Sequence, residues 1–140
     1  MTKSTITFIA LGSINDIAAQ DWDACIRPHA NEPGGNQGVD SPLACNPFVS
    51  HAFVSALEDS GSACADTGWA PQHLIMQQND EIVGIAPCYL KSHSRGEYVF
   101  DHGWAEAFMR AGGDYYPKLQ VSVPFTPATG PRLLVRAGHD

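Results

Sequence analysis

Apolar and polar positions alternate along this chain in short blocks whose period changes several times. Thr5 to Leu11, rich in Ile, Thr and Phe, reads as a first strand. Ser13 then offers a helix cap with Asp16 three residues on, and Ile14, Ile17, Ala18, Trp22, Cys25 and Ile26 follow at helical spacing. A break near Gln20 lets a second helix start at Asp21. Asn46-Pro47 is a further start signal, with Val49, Ala52, Phe53, Ala56 and Leu57 on one apolar face and a stop near Gly61. Ser62 to Pro71 reads as a linker.

The next blocks have the period of strands. Gln72 to Gln78 and Glu81 to Leu90 flank the turn Asn79-Asp80, a hairpin in which Leu74, Met76, Ile82 and Ile85 supply core side chains. Pro87 lacks an N–H and so marks an edge or a bulge. Glu97 to Asp101 predicts a short third strand, and Trp104 to Ala111 a helix stopped by Gly112-Gly113. Leu119, Val121 and Val123 alternate with Gln120 and Ser122. A loop stiffened by Pro124, Pro127 and Pro131 around Gly130 leads to a last apolar run, Leu133 to Val135.

At 140 residues the chain is one domain, 1–140, or part of one, with a flexible loop over 27–45 that holds three prolines and three glycines. A net charge of -7 argues against a surface that tracks phosphates, so a nucleic-acid partner is not expected for this segment. No run is long enough for a membrane span or a signal segment, which favours the cytoplasm. Cys25, Cys45, Cys64 and Cys88 form no C-x-x-C pair and read as unpaired thiols, with no metal site. No G-x-S-x-G, G-x-G-x-x-G or phosphate-loop motif occurs, so hydrolase and nucleotide-binding readings lack support. His51, His73 and His102 fit amphipathic positions at the edge of a core.

The order β-α-α-β-β-β-α-β-β resembles the GNAT acyltransferases. In more detail, NPFVSHAFVSALEDSGS, WAPQHLIMQQNDEIVGIAPCYLKSHSRGEYVFDHGWAEAF and YYPKLQVSVPFTPATGPRLL resemble the N-terminal part of the FemAB-like proteins, over most of Asn46 to Val135. The resemblance implies an α/β fold with a GNAT-like, mainly antiparallel mixed sheet flanked by helices and incomplete at the C-terminus. It implies a second GNAT-like half outside these residues as partner. The function implied is that of an N-terminal segment of an acyl- or aminoacyl-transferase, inactive alone. The acceptor would be a small amine or cell-wall precursor, and the donor acyl-CoA or aminoacyl-tRNA, neither held by this segment. The alternative is a non-catalytic binding or scaffolding module on the same fold. Two late strands with no later neighbour imply an unpaired edge and self-association.

Amine acylation needs a base for the amine proton, and Glu97 or His93 can serve. Lys91, Glu97 and Asp101 fall in one polar stretch, KSHSRGEYVFD. Glu97, Val99 and Asp101 share one face of the expected strand. Asp101 either caps the helix that carries Trp104 or forms a polar lip on a cleft with Trp104 as its wall. Tyr115, Tyr116, Lys118 and Gln120 are polar-tipped residues leading into the Pro-rich loop; Tyr and Lys suit an anionic or sugar-like ligand and suit a solvated strand equally. Thr126, Thr129, Gly130 and Arg132 form a candidate ligand loop, with Arg132 able to meet a phosphate or carboxylate.

Overall fold

The computed structural model describes residues 5–26 and 46–139; the loop expected over 27–45, with Cys45, lies outside the described residues. Among these the chain runs β1 (Ile6–Leu11), α1 (Ala19–Asp23), α2 (His51–Asp59), β2 (Trp69–Pro71), β3 (His73–Gln78), β4 (Glu81–Ala86), β5 (Cys88–Lys91), α3 (His102–Arg110), β6 (Lys118–Val121) and β7 (Leu134–Val135). Single 3-10 turns sit at Ile14–Asp16, Pro47–Val49 and Ala65–Thr67. The strands form two sheets, in the orders β1-β3-β4-β7 and β2-β5-β6, and every pairing is antiparallel.

Asn79 and Asp80 join β3 to β4 with φ of 51° and 67°, the two left-handed residues that a tight hairpin with matching twist needs. The second apolar block does not continue as one strand. At Pro87, which has no N–H to give a ladder, the chain leaves the first sheet and β5 enters the second. Local chemistry also fixes the helix starts. The Asn46 side chain accepts from Phe48 N–H, and Ser50 Oγ accepts from Phe53 N–H at 3.2 Å.

One face of the first sheet carries the main core. Ile14, Trp22, Val49 and Val54 pack there against Ile75, Ile85 and Leu134. Trp22 Nε1 donates to Val49 O at 2.8 Å, so its buried polar atom is satisfied. Glu58 of α2 ties helix to strands. Cys88 N–H donates to His73 Nδ1, so the other ring nitrogen carries the proton and donates to Glu58 Oε1 at 2.7 Å. Glu58 also accepts from Ser13 Oγ and Ile14 N–H. Burial works to raise this carboxyl, but the bonds from His73, Ile14 and Ser13 outweigh it and hold it below its ordinary value. His73 is therefore a core residue rather than a core-edge one.

Several expectations change. Glu97 to Asp101 forms no strand, because it folds back as a turn over the second sheet. The expected linker holds β2. Two antiparallel sheets replace the single mixed sheet, and α3 covers neither of them broadly, since only Ala105 of its nine residues is buried. The hairpin buries Ile75 at 2% exposure, whereas Leu74 on the other face is 39% exposed. On α2 the buried position is Val54, and Ala52 and Ala56 face outward. In β6 the apolar Leu119 and Val121 are exposed, and the polar side chains between them turn inward. Cys25, Cys64 and Cys88 are free thiols, as expected. Among the described residues no helix is long and apolar enough to cross a membrane.

Candidate functional site

The second sheet sets up the site by register. Lys91 of the central strand β5 stands opposite Trp69 of β2 on one side and Lys118 of β6 on the other. Cross-strand partners share a face, so an indole and two ammonium groups lie in one row. The segment after β5 then turns back across that face. Gly96 makes the turn possible: its φ is 79°, and a Cβ there would lie 2.5 Å from the Phe125 ring and 3.0 Å from Trp69 Nε1. The turn delivers Glu97 and Asp101 to the row of lysines.

Lys91 is fully buried. Its Nζ sits 3.4 Å from the centre of the Trp69 ring, donates to Arg95 O at 3.1 Å, and lies 3.7 Å from Glu97 Oε1. Burial pushes its pKa down to about 8, against the pull of Glu97 and helped by the nearby Lys118 charge. Lys118 Nζ bonds Glu97 Oε2 at 2.9 Å, Ser94 Oγ at 3.1 Å and Asp101 Oδ2. Tyr115 OH donates to the same Asp101 oxygen at 2.7 Å, and Tyr116 OH meets Ser94 Oγ at 2.6 Å. Burial favours a neutral Asp101, but bonds from Lys118, Ser94 and Tyr115 prevail and hold it far below the usual carboxylate range. Lys118 is pushed up, its burial outweighed by Asp101 and Glu97. Tyr115 is pushed up by its bond to Asp101.

Glu97, Asp101 and Lys118 line a cleft of about 550 Å³. Trp69 and the loop residues Thr126, Thr129 and Arg132 line it as well. Arg132 braces that loop by donating to the carbonyls of Ala128, Gly130 and Pro131. Asn46 Nδ2 donates to Thr129 O at 3.1 Å, fixing the loop to the start of α2's preceding turn. Three buried polar atoms of lining residues, Trp69 Nε1, Glu97 Oε1 and Asp101 Oδ1, have no hydrogen-bond partner among the described residues.

Among the residues singled out from sequence, Glu97, Asp101, Lys118, Thr126, Thr129 and Arg132 line this one cleft. Lys91, Tyr115 and Tyr116 stand behind it, and Gly130 supports it through its carbonyl. His93 stands apart: it is absent from the lining, its Nδ1 accepts from Arg95 N–H at 3.1 Å, and its ring covers Gly68, where a Cβ would lie 2.3 Å from Nε2. Trp104 is 77% exposed on α3 and is not part of the lining. Gln120, singled out with Lys118, also lines the cleft. Sequence reasoning missed Trp69, Ser94 and Ser122. The polar phase of the β6 pattern, Lys118-Gln120-Ser122, was the available signal for Ser122; nothing local marked Trp69, which reaches the site by sheet pairing.

A mixed α/β fold of antiparallel sheets with few helices carries this charged cleft. The family model described as peptidoglycan biosynthesis/recognition, FemAB-like, matches residues 13–140. The chain therefore belongs to the FemAB-like family and is a peptidoglycan-biosynthesis-related protein, and the match extends upstream of Asn46. No curated protein and no solved structure matches the chain.

Proposed function

We propose that the cleft is the acceptor pocket of an amine-acylating transferase of FemAB type, with the described sheets as part of a GNAT-like domain spanning 1–140. The observation that carries this reading is the buried Glu97 carboxylate. Lys91 and Lys118 hold it in ion pairs, and Glu97 is one of the residues that line the cleft. The two lysines already balance Glu97 and Asp101, so the pocket disfavours a further ammonium and selects the neutral amine that acylation requires. The amine nitrogen then attacks the donor carbonyl. The bond to sulfur of an acyl-CoA, or to ribose oxygen of an aminoacyl-tRNA, breaks. The amine proton passes to Glu97, and the leaving group takes up a proton from solvent. The donor is held outside this cleft, by the second GNAT-like half that the family resemblance implies. Both donors are cytoplasmic, so the reaction belongs there in this reading.

Acyl transfer from acetyl-CoA to lysine-bearing peptides, followed by release of free thiol, tests the proposal. The 140-residue chain alone should give no turnover. In protein that includes a donor-binding half, Glu97→Gln should lower kcat by roughly 10²–10⁴. Unchanged turnover in that variant rejects the assignment. A second reading, a binding module without catalysis, draws support from the same ion pairs, because a carboxylate between two ammonium groups is a weak base. It predicts amine binding with no turnover under any pairing of halves.

A further inference from the structure

Among the described residues, the borders of the two sheets are not equally protected. β1 and β7 close the first sheet, and β2 and β6 close the second. An open strand edge offers unpaired N–H and C=O groups to another chain, and proteins blunt it with shortness, proline or charge. β7 has two residues, β2 has three and ends in Pro71, and β6 begins with Lys118. β1 has none of these devices. It runs for six residues, ITFIAL, without charge or proline. Its free side follows from the register. Asn79 N–H donates to Thr5 O at 3.2 Å, so the backbone of Thr5 faces β3. Antiparallel pairs alternate, and Ile6, Phe8 and Ala10 therefore aim their N–H and C=O groups away from β3. Apolar surface lies open on both faces of this border. Ile6 and Phe8 are 56% and 75% exposed, and Phe8 borders the groove that holds Leu74 and Met76. On the opposite face, Ile9 and Leu11 border a second hollow of about 310 Å³.

We propose that β1 pairs antiparallel with β1 of a second copy of this chain, about a twofold axis at Phe8, and joins the two first sheets into one. The strand suits its own reversal. Phe8 meets Phe8, and on either side Ile6 meets Ala10, so a large side chain stands opposite a small one. In that register the backbone groups of Ile6, Phe8 and Ala10 bond each other across the axis. Each copy has a net charge of -7, yet the paired strands bring no charged side chains together. The same patch serves both copies, as a twofold contact requires. One strand edge is a small interface, so the dimer is weak, with a dissociation constant between about 1 μM and 1 mM.

The primary measurement uses the unaltered whole chain. Sedimentation should show a monomer–dimer equilibrium, and amide exchange should be read well below and well above its midpoint. Dimerisation should slow exchange at Ile6, Phe8 and Ala10, whereas Thr7 and Ile9, bonded to β3, stay protected throughout. Two lysine variants then separate the edge from the sheet face. Phe8→Lys sets two ammonium groups at the axis and should weaken the dimer about tenfold or more. Phe8 is largely exposed, so the variant should keep the fold, checked by circular dichroism. Leu133→Lys makes the same change in net charge at the groove but off β1, and should leave the dimer within about twofold. The proposal is overturned if the chain stays monomeric up to about 1 mM, the outcome expected if a strand of another protein is the natural occupant. It is overturned if the Ile6, Phe8 and Ala10 amides exchange alike in monomer and dimer. Equal weakening by Leu133→Lys also overturns it, because the contact is then the sheet face. No residue of β1 lines the cleft, so none of these outcomes depends on the transferase reading.

Discussion

The two sheets solve opposite problems with the same antiparallel pairing. The first packs Ile75, Ile85 and Leu134 against helices and buries apolar surface, which is the ordinary source of stability. The second buries a lysine and a glutamate. Lys91 is fully buried in the middle of that sheet, and the Glu97 side chain is 4% exposed above it. Replacing such a buried ion pair with apolar side chains is often neutral or stabilising, so its presence is not explained by folding. The comparison teaches where each region's chemistry is directed. One sheet holds the molecule together, and the other uses part of that stability to keep charges in place beside a cleft.

The sharpest way to break this contrast is to put a charge on the apolar side. Ile75→Asp places an unpaired carboxylate among Trp22, Val54 and Ile85. The cost is about 5 kcal/mol or more, comparable with the whole stability of a small domain. The variant should be unfolded by circular dichroism at room temperature. A cooperative melt near that of the unaltered chain would show that this face is not the core.

On the second sheet, removing one partner should hurt more than removing the demand for it. Glu97→Ala strips Lys91 and Lys118 of their shared carboxylate and should cost about 3–5 kcal/mol in denaturant titrations. Lys91→Met, which keeps the stem over Trp69 and removes the charge, should lie within about 1 kcal/mol of the unaltered chain or above it. Equal losses in the two variants would mean that the pair is a stability element after all.

The same lysine gives the contrast a pH dependence. Burial lowers Lys91 to about 8 in the fold, and in the unfolded chain it titrates at its ordinary 10.5. Between those values the unfolded state holds more protons, so this group adds stability as pH rises through the window. Relative to Lys91→Met, the unaltered chain should gain about 2–3 kcal/mol from pH 8 to 10.5, discounted for the partial Glu97 pairing. Below pH 8 the difference should be flat. A flat difference above pH 8 as well would show that the ammonium is already accommodated without strain.

How much of this was legible beforehand differs between the sheets. The hairpin could be read because Asn79-Asp80 is a local signal and the flanking blocks keep a strand period. The split at Pro87 was half legible: the proline announced an interruption, but a missing N–H does not say that the chain changes sheets. The β6 pattern gave the right period and the wrong face, since Leu119 and Val121 point outward. Apolar residues mark the inner face only where the inner face is apolar, and here it carries the site. Most of the cleft was legible as polar side chains in two stretches, Lys91 to Asp101 and Tyr115 to Arg132. Their convergence was not, because it depends on Trp69, Lys91 and Lys118 standing in register, a long-range fact.

The smallest effect expected tests the neighbour of the largest. Leu74 is one residue before Ile75 and looks equally apolar in the sequence, yet it lies on the opposite face of β3. There it lines a shallow apolar groove with Phe8, Met76 and Leu133, and it keeps 39% of its surface exposed. An aspartate at this position can turn its carboxylate to water, so no charge is buried unpaired. What is lost is part of a leucine's burial, about 1 kcal/mol. Leu74→Asp should therefore fold, with a thermal midpoint lowered by about 3–4 °C. The ratio between the two aspartate variants measures how one-sided this sheet is. If Leu74→Asp unfolds the chain as Ile75→Asp does, both faces of β3 are core, and something covers the groove that the described residues leave open.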